Sequence, residues 1–465
     1  MKTRIKSEVM LSMGRFSVAS TASSRRMVLF AIISLGCLLA PVCLGQGRGR
    51  DAATPDIQRE RRPFDHQHRS PGDTASTSLG VSSHEHREQQ WRNHQQHGPW
   101  ATEFGHQFGN DPPELEAVQS PLVNFTTDVF LEKEDGIATY RIPAIVQLRQ
   151  PRAGRTFLLA FAEARKDSSS DCGRKAVVMK LSEDMGKTWS KLMNVYGLNV
   201  SDIVAGNQIV VVNDETGAVM CIYSTSPAGK SCSPASAIWQ TVSYDAGDHW
   251  STPVDISKFL EPYAGVSAGP GDGLQLTQGK KKGRLVFAGH YGAYREDIVW
   301  YSDDSGLHYT RPNVTFPKMD EATLTQLANG SILLNMRNAH ASSCDCRATS
   351  RSDDAGETWT PIRYDPTLIS PICQASLAQI ESRLYFSNPA STKSRENLTV
   401  RVSDDGGTTW IKKTLLVQGG SVWGGYSSLV PDEIGTGLGG VLYERYSNGK
   451  QAISFSTFPL DFDKM

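Results

Sequence analysis

The chain has 465 residues, with 39% hydrophobic, 21% charged, 41 Gly and 23 Pro, so it is a folded protein with polar segments attached, neither a coiled coil nor wholly disordered. Lys plus Arg number 48 against 49 Asp plus Glu, a formal net charge of −1, so no global field draws it to nucleic acid or an anionic membrane. A long apolar run occurs once, near the N-terminus, which excludes a multi-span membrane protein.

That run is Met27 to Leu44, preceded by Arg25-Arg26 and followed by small residues. About 18 apolar residues with a basic flank read as a secretory signal, with a retained signal-anchor as the alternative, over residues 1–45. Either way the remainder enters the secretory pathway. Sequons at Asn124, Asn199, Asn313, Asn329 and Asn397 agree. Cys172, Cys221, Cys232, Cys344, Cys346 and Cys373 follow the leader. An oxidising compartment permits disulfides among them, and no zinc spacing is present.

Residues 46–117 read as a disordered spacer. They hold seven of the eleven histidines (His66, His68, His84, His86, His94, His97 and His106) among Gln, Arg, Ser and Gly. With no persistent hydrophobic period, such a stretch cannot bury enough apolar surface to offset its ordering entropy.

From residue 118 to 465 the pattern changes to short β-like runs. These are Tyr140–Val146, Thr156–Phe161, Ala176–Leu181, Gln208–Val212, Val219–Tyr223, Arg284–Ala288, Ser331–Met336, Leu384–Phe386 and Asn397–Val402. Each is rich in Val, Ile, Leu or Tyr and bounded by turn residues, so the region is all-β. A repeat organises it. Ser182-Glu-Asp-Met-Gly-Lys-Thr-Trp189 recurs from Ser243, Ser302, Ser352 and Ser403, at spacings of 61, 59, 50 and 51 residues. In each turn Ser ends a strand, Asp accepts hydrogen bonds from turn amides, and Gly takes a positive φ. The aromatic then packs under the turn. Roughly 345 folded residues in units of this length predict a six-bladed β-propeller of four-stranded antiparallel blades. The repeated Asp is a folding device, since chemistry sits at one place rather than five.

Other motifs stand among the repeats. They are Tyr140-Arg-Ile-Pro143, Phe161-Ala-Glu-Ala-Arg-Lys166 with Ser168-Ser-Ser-Asp171, Asn335-Met-Arg-Asn338, Cys344-Asp-Cys-Arg347, Ser387-Asn-Pro389, Arg395-Glu-Asn-Leu-Thr-Val-Arg401, Gly425-Tyr-Ser-Ser428 and Val441-Leu-Tyr-Glu444. With five Asp boxes in order, the region from about 120 to 460 resembles the sialidase (neuraminidase) family, most closely its animal lysosomal branch.

The resemblance implies a retaining exo-α-sialidase that releases terminal sialic acids from glycoproteins, oligosaccharides and gangliosides through a tyrosyl intermediate. Sialic acid carries a carboxylate on its anomeric carbon, and Arg pairs bidentately with such a group while staying charged. The implied triad is Arg141, Arg337 and Arg395, with Arg347 and Arg401 as the neighbours to be told apart from it. The same carboxylate repels an anionic nucleophile, which explains a Tyr in that role, here Tyr426. Glu321 matches its base, with Asp320 adjacent, and Glu444 is to hold Arg141 from behind through an ion pair. Asp171 matches the general acid/base, with Asp167 as rival, and an optimum at roughly pH 4–5.5 is expected. Arg165 and Glu163 are expected around the sugar's ring substituents. No metal or organic cofactor is implied. A cathepsin A-like carboxypeptidase chaperone is the implied partner, and the lysosome the implied destination, with an extracellular or membrane-anchored fate as the alternatives. A propeller that had lost catalysis would instead be a sialic-acid lectin.

Overall fold

The computed structural model describes residues 118–119 and 123–465, apart from 151–154, 230–231, 233–234, 293–294, 342, 411, 419–423, 433 and 435–436. The expected leader and spacer, 1–45 and 46–117, lie outside the described residues. Among those described, the regular structure is strand throughout, save one 3-10 turn at Ser257–Leu260.

The strands form antiparallel meanders that follow one another along the chain. The first is Thr139–Gln150, Arg155–Arg165, Lys175–Ser182 and Met193–Tyr196. The second, Ile203–Asn213, Ala218–Pro227, Ala237–Ser243 and Val254–Asp255, joins the first in a nine-stranded sheet through Lys175 opposite Val204. Gly271–Asp272 runs parallel beside it. A five-stranded sheet follows, built on Leu285–Tyr291 and Glu296–Ser302. Next come Met319–Gln326 with Ile332–Asn338, Cys346–Ser352 and Arg363–Ile369, then Ser376–Ile380 with Arg383–Pro389, Leu398–Ser403 and Lys412–Leu415. The last sheet takes Ser427–Leu429, Leu438–Ser447 and Lys450–Pro459 late in the chain, and is completed by Thr126–Leu131 from far earlier.

Apolar seams fill the spaces between successive meanders. Val146, Phe161 and Met179 meet Val210, Val219 and Tyr223, and then Ile209, Val211 and Ile222 meet Leu285, Phe287 and Trp300. The series continues through Phe316 with Leu334, Leu333 with Phe386, and Val400 with Val441. A final seam packs Ile453 and Phe455 against Ile145, Leu158 and Val178, returning to the first meander. Alternate residues of one strand thus serve two different seams, as a period of two requires. Each fully buried Leu, Ile, Val or Phe contributes about 1.5–3 kcal/mol, so the seams dominate stability.

The repeated turns have the geometry their residues require. Ser182 ends its strand, its Oγ accepts from Gly186 N at 2.8 Å, and Asp184 accepts from Thr188 N at 2.8 Å. Gly186 has φ +87°, and a Cβ there would lie 2.2 Å from Phe455 of the last sheet, which packs against the first meander. Glycine is therefore required twice, for its torsion and for that close approach. Trp189 stacks edge-on to the same Phe455 with centroids 5.7 Å apart, and Trp250 does so to Phe161 at 6.2 Å. The turns stitch one meander to the one before.

Six Cys lie between residues 118 and 465. Cys172–Cys232 and Cys344–Cys346 are disulfides, and Cys221 and Cys373 are buried thiols.

Candidate active site

Three of the site strands are interrupted where their functional residues sit. The pairing of Thr139–Gln150 slips between Arg141 and Ala144, that of Met319–Gln326 between Asp320 and Ala322, and that of Ile203–Asn213 between Gly206 and Ile209. Ile142, Glu321 and Asn207 take positive φ of 61°, 38° and 52° at these bulges. A bulge re-aims a side chain, and here Glu321 is turned inward to Tyr426.

Tyr426 is 5% exposed, and its hydroxyl donates to Glu321 Oε1. Glu321 Oε2 accepts from Arg337 Nη1 at 2.6 Å, and the same Nη1 lies 3.3 Å from the Tyr426 hydroxyl. Arg141 and Arg395 lie over the Tyr426 ring, 4.9 and 5.5 Å from its centroid. Burial and the Glu321 charge push the Tyr426 phenol well above its ordinary value, against the three arginines. Burial tends to raise Glu321, but Arg337, His290 and the Tyr426 hydrogen bond hold it below the usual range. The proton therefore sits on Tyr426 and the charge on Glu321, the starting state for a base-activated phenol.

Asp320, the neighbour open to confusion with Glu321, faces elsewhere. It lies 3.4 Å from Arg337 and 3.7 Å from His290 Nε2. Arg401 donates to Asn388 at 2.7 Å, and Arg347 to Asn335 at 2.7 Å and to the Cys373 carbonyl at 2.5 Å. Among the described residues neither of these arginines is bonded to Tyr426, whereas Arg141, Arg337 and Arg395 all approach it.

Glu444 is fully buried and grips four groups at once. Its carboxylate accepts from Arg141 Nε at 3.0 Å and Nη2 at 3.2 Å, from Ile142 N at 2.9 Å and from Tyr426 N at 3.0 Å. A Cβ on Gly424 would lie 1.8 Å from this carboxylate, so the Gly424-Gly425 turn (φ +72° and +73°) admits only glycine at that position. Arg395 Nη1 donates to the Gly424 carbonyl at 2.7 Å. Glu444 and Arg395 thus clamp the turn that delivers Tyr426.

The opposite side of the site is wet. Asp171 sits on the loop between Arg155–Arg165 and Lys175–Ser182, with its side chain 74% exposed. It accepts from Arg165 Nη2 at 2.7 Å and lies 4.0 Å from Arg141 Nη1. Desolvation would raise its carboxyl, but Arg165, Arg141 and Lys175 hold it down to about 2. Asp167, its rival, pairs with Arg174 at the base of the loop, at 2.5 Å. Arg165 is 1% exposed. Glu163, expected beside the sugar, is fully buried beneath Arg165 and accepts from its Nε and Nη2 at 3.1 and 2.9 Å. Its other oxygen accepts from Lys175 Nζ at 2.7 Å and Asn207 N at 2.9 Å.

Sequence reading passed over three residues of this neighbourhood. Lys175 is a buried cation at a strand start. His290 leans on Asp320. Asp297 is fully buried behind Glu321, with neither carboxylate oxygen hydrogen-bonded among the described residues, and burial pushes it well above the usual carboxylate range. Lys175 follows the Ser-rich loop directly, a signal that was available; Asp297 carries none, because only the fold brings it near.

A family model for the BNR repeat-like domain matches residues 156–437. An exo-alpha-sialidase of Arthroderma benhamiae is 30% identical over 303 residues, covering 58% of this chain and 68% of that protein. A sialidase of Bacteroides fragilis is 28% identical over 345 residues, covering 67% of this chain; the chain spans 61% of that relative's length. Among solved structures, the Hadza microbial sialidase Hz136 superposes with a TM-score of 0.61 at 26% identity, over 72% of this chain and 68% of that one. The chain belongs to the sialidase family.

Proposed function

We propose that the chain is a retaining exo-α-sialidase built as a six-bladed β-propeller, acting through a tyrosyl intermediate on terminal sialic acids of glycoproteins, oligosaccharides and gangliosides. The observation that carries this reading is the Tyr426–Glu321 hydrogen bond set among Arg141, Arg337 and Arg395. The cyclic order of apolar seams supports the six blades.

The three guanidinium groups receive the sugar's carboxylate and fix the anomeric carbon near Tyr426. Glu321 takes the phenolic proton as Oη attacks, so the nucleophile meets the anionic substrate while still neutral. Asp171 gives a proton to the departing glycosidic oxygen, and then removes one from the water that attacks the tyrosyl bond. The proton on Glu321 returns to Tyr426. Two displacements at one carbon retain its configuration.

The chain's Cys172–Cys232 disulfide fits an oxidising compartment, in line with a leader at 1–45 and passage through the secretory pathway to the lysosome. A cathepsin A-like chaperone belongs to this reading only by family likeness. The test is turnover of a fluorogenic α-sialoside, followed by proton NMR of the first-formed sugar. Release of the α-anomer first supports the proposal. Release of the β-anomer first sinks the tyrosyl route, and saturable binding without turnover would make the protein a lectin.

A further inference from the structure

We propose that the Cys172–Cys232 disulfide is a positioning element for Asp171, fastening the loop that carries it to the next meander so that its carboxyl stays in reach of the leaving oxygen. This inference rests on the reading of Asp171 as the acid/base.

Asp171 has little else to hold it. Three quarters of its side chain faces solvent, and its direct partner is Arg165. The base of the loop is pinned. Lys166 N donates to the Arg174 carbonyl at 2.9 Å, and Lys166 Nζ reaches the carbonyls of Gly197, Leu198 and Val200, each at 2.9 Å. Asp167 and Arg174 close the same end. Nearer the tip, Arg165 donates to the Ser169 carbonyl and Gly173 N to the Ser170 carbonyl at 3.3 Å, but both ties are local to the loop and its own strand, and neither fastens it to another meander.

The disulfide supplies the restraint at the tip. Cys172 is the very next residue after Asp171, and its partner Cys232 lies 60 residues on, in the connection between Ala218–Pro227 and Ala237–Ser243. The Cys232 amide also donates to the Cys172 sulfur at 3.3 Å. A cross-link one residue from a catalytic group removes most of the loop's freedom there, and proximity effects are sensitive to displacements of about 1 Å. The bond joins two meanders at their rims rather than within an apolar seam. Its task is therefore better matched to the loop than to the core.

The experiment begins with peptide mapping of the unreduced full-length protein; free thiols at Cys172 and Cys232 would overturn the proposal. Cys232→Ala, remote from the reacting atoms, and Cys172→Ala/Cys232→Ala are then assayed on a natural sialoside with an alcohol leaving group and on an aryl sialoside. The natural substrate should lose about ten-fold or more in kcat, and the aryl substrate less than about three-fold, because a phenolate leaves without a proton. Equal losses on both, or no loss, would overturn it. Amide hydrogen exchange at residues 168–173 should speed up while Arg155–Arg165 stays protected, and unchanged exchange would also overturn it. This arm decides the restraint even if wild-type protein turns over neither substrate, an outcome that defeats the functional reading instead. Should the variants misfold, phosphine reduction of the folded protein, each opened disulfide giving two thiols and one phosphine oxide with water as co-reactant, provides the same readouts when run beside Cys344→Ala/Cys346→Ala protein, in which only Cys172–Cys232 can open.

Discussion

The two sides of the site are built on opposite principles. Around Tyr426 the groups are buried, and every oxygen of Glu321 and Glu444 has a hydrogen-bond donor. Around Asp171 the group is exposed, on a loop, hydrogen-bonded to Arg165, within 4.0 Å of Arg141 and next to a disulfide. On the proposed mechanism the nucleophile is pre-aligned in a dry place, where fixed charges act strongly. The acid must meet leaving groups of many shapes, which suits a rim position. On that mechanism, a buried tyrosine and an exposed aspartate are two answers to two demands of one reaction.

Breaking the dry side should have the largest effect. Glu321→Gln removes the base while keeping the shape, and kcat should fall by about 10²–10⁴-fold. Near-normal kcat in this variant, measured on an aryl sialoside, would point to Asp320 as the base. Arg141→Ala, Arg337→Ala and Arg395→Ala should each cost about 2–4 kcal/mol in kcat/KM. If Arg395→Ala were normal and Arg401→Ala dead, the third arginine would be misassigned.

On the wet side, Asp171→Ala should lose about 10²-fold on alcohol leaving groups and far less on aryl ones. Asp167→Ala, which removes only the partner of Arg174, should spare both. The depressed carboxyl of Asp171 also predicts a separation between two pH profiles. In the empty site it is already ionised above about pH 2, so kcat/KM should decline as pH rises through the acidic range. A bound carboxylate neutralises Arg141 and covers the loop, and both changes raise the Asp171 value. The kcat profile should therefore keep its plateau to higher pH than kcat/KM, within an optimum of roughly pH 4–5.5. Coincident limbs would show that the arginines do not control this acid.

The smallest expected effect lies in the repeated turns. His249 and His308 stand where Thr188, Thr358 and Thr409 donate to the box Asp in the other turns, at 2.8 and 2.7 Å from Asp245 and Asp304. The hydrogen bond and charge of Asp245 raise His249 above its ordinary value. Its contribution is full below about pH 6.5 and is lost as pH rises through the raised folded value. His249→Thr should flatten the dependence of Tm on pH between about 6 and 8 without changing kcat. A wild-type slope in that variant would remove the turn from the protein's pH response.

Much of this was legible in the linear chain. The expected runs Tyr140–Val146, Ala176–Leu181 and Val219–Tyr223 lie inside Thr139–Gln150, Lys175–Ser182 and Ala218–Pro227. Their apolar residues face seams, so their β character showed in composition. Met319–Gln326 and Cys346–Ser352 did not read as strands, because they are polar while buried. Bonds from neighbouring segments satisfy them: Gln326 accepts from Thr277 N at 2.8 Å, and Ser350 donates to the Thr360 carbonyl at 2.7 Å. A polar residue with a waiting partner is as buriable as an apolar one, and the partner is invisible in sequence. The same limit governed Glu163, whose place beneath Arg165 depends on Lys175 and the Gly206 turn.

The sequence by itself determined the all-β character, the five repeated turns and the residue types needed to hold an anionic sugar, because period, turn chemistry and motif order are local. Which residues meet was decided by the tertiary structure. Arg141, Glu321, Arg337, Arg395 and Tyr426 come from four separate meanders, and only their packing brings together residues as far as 285 positions apart. That Glu321 and not Asp320 reaches Tyr426 follows from a single bulge, since one residue's shift in a strand sends a side chain to the other face. Asp171 found Arg165 while Asp167 found Arg174, a difference that only the folded loop decides.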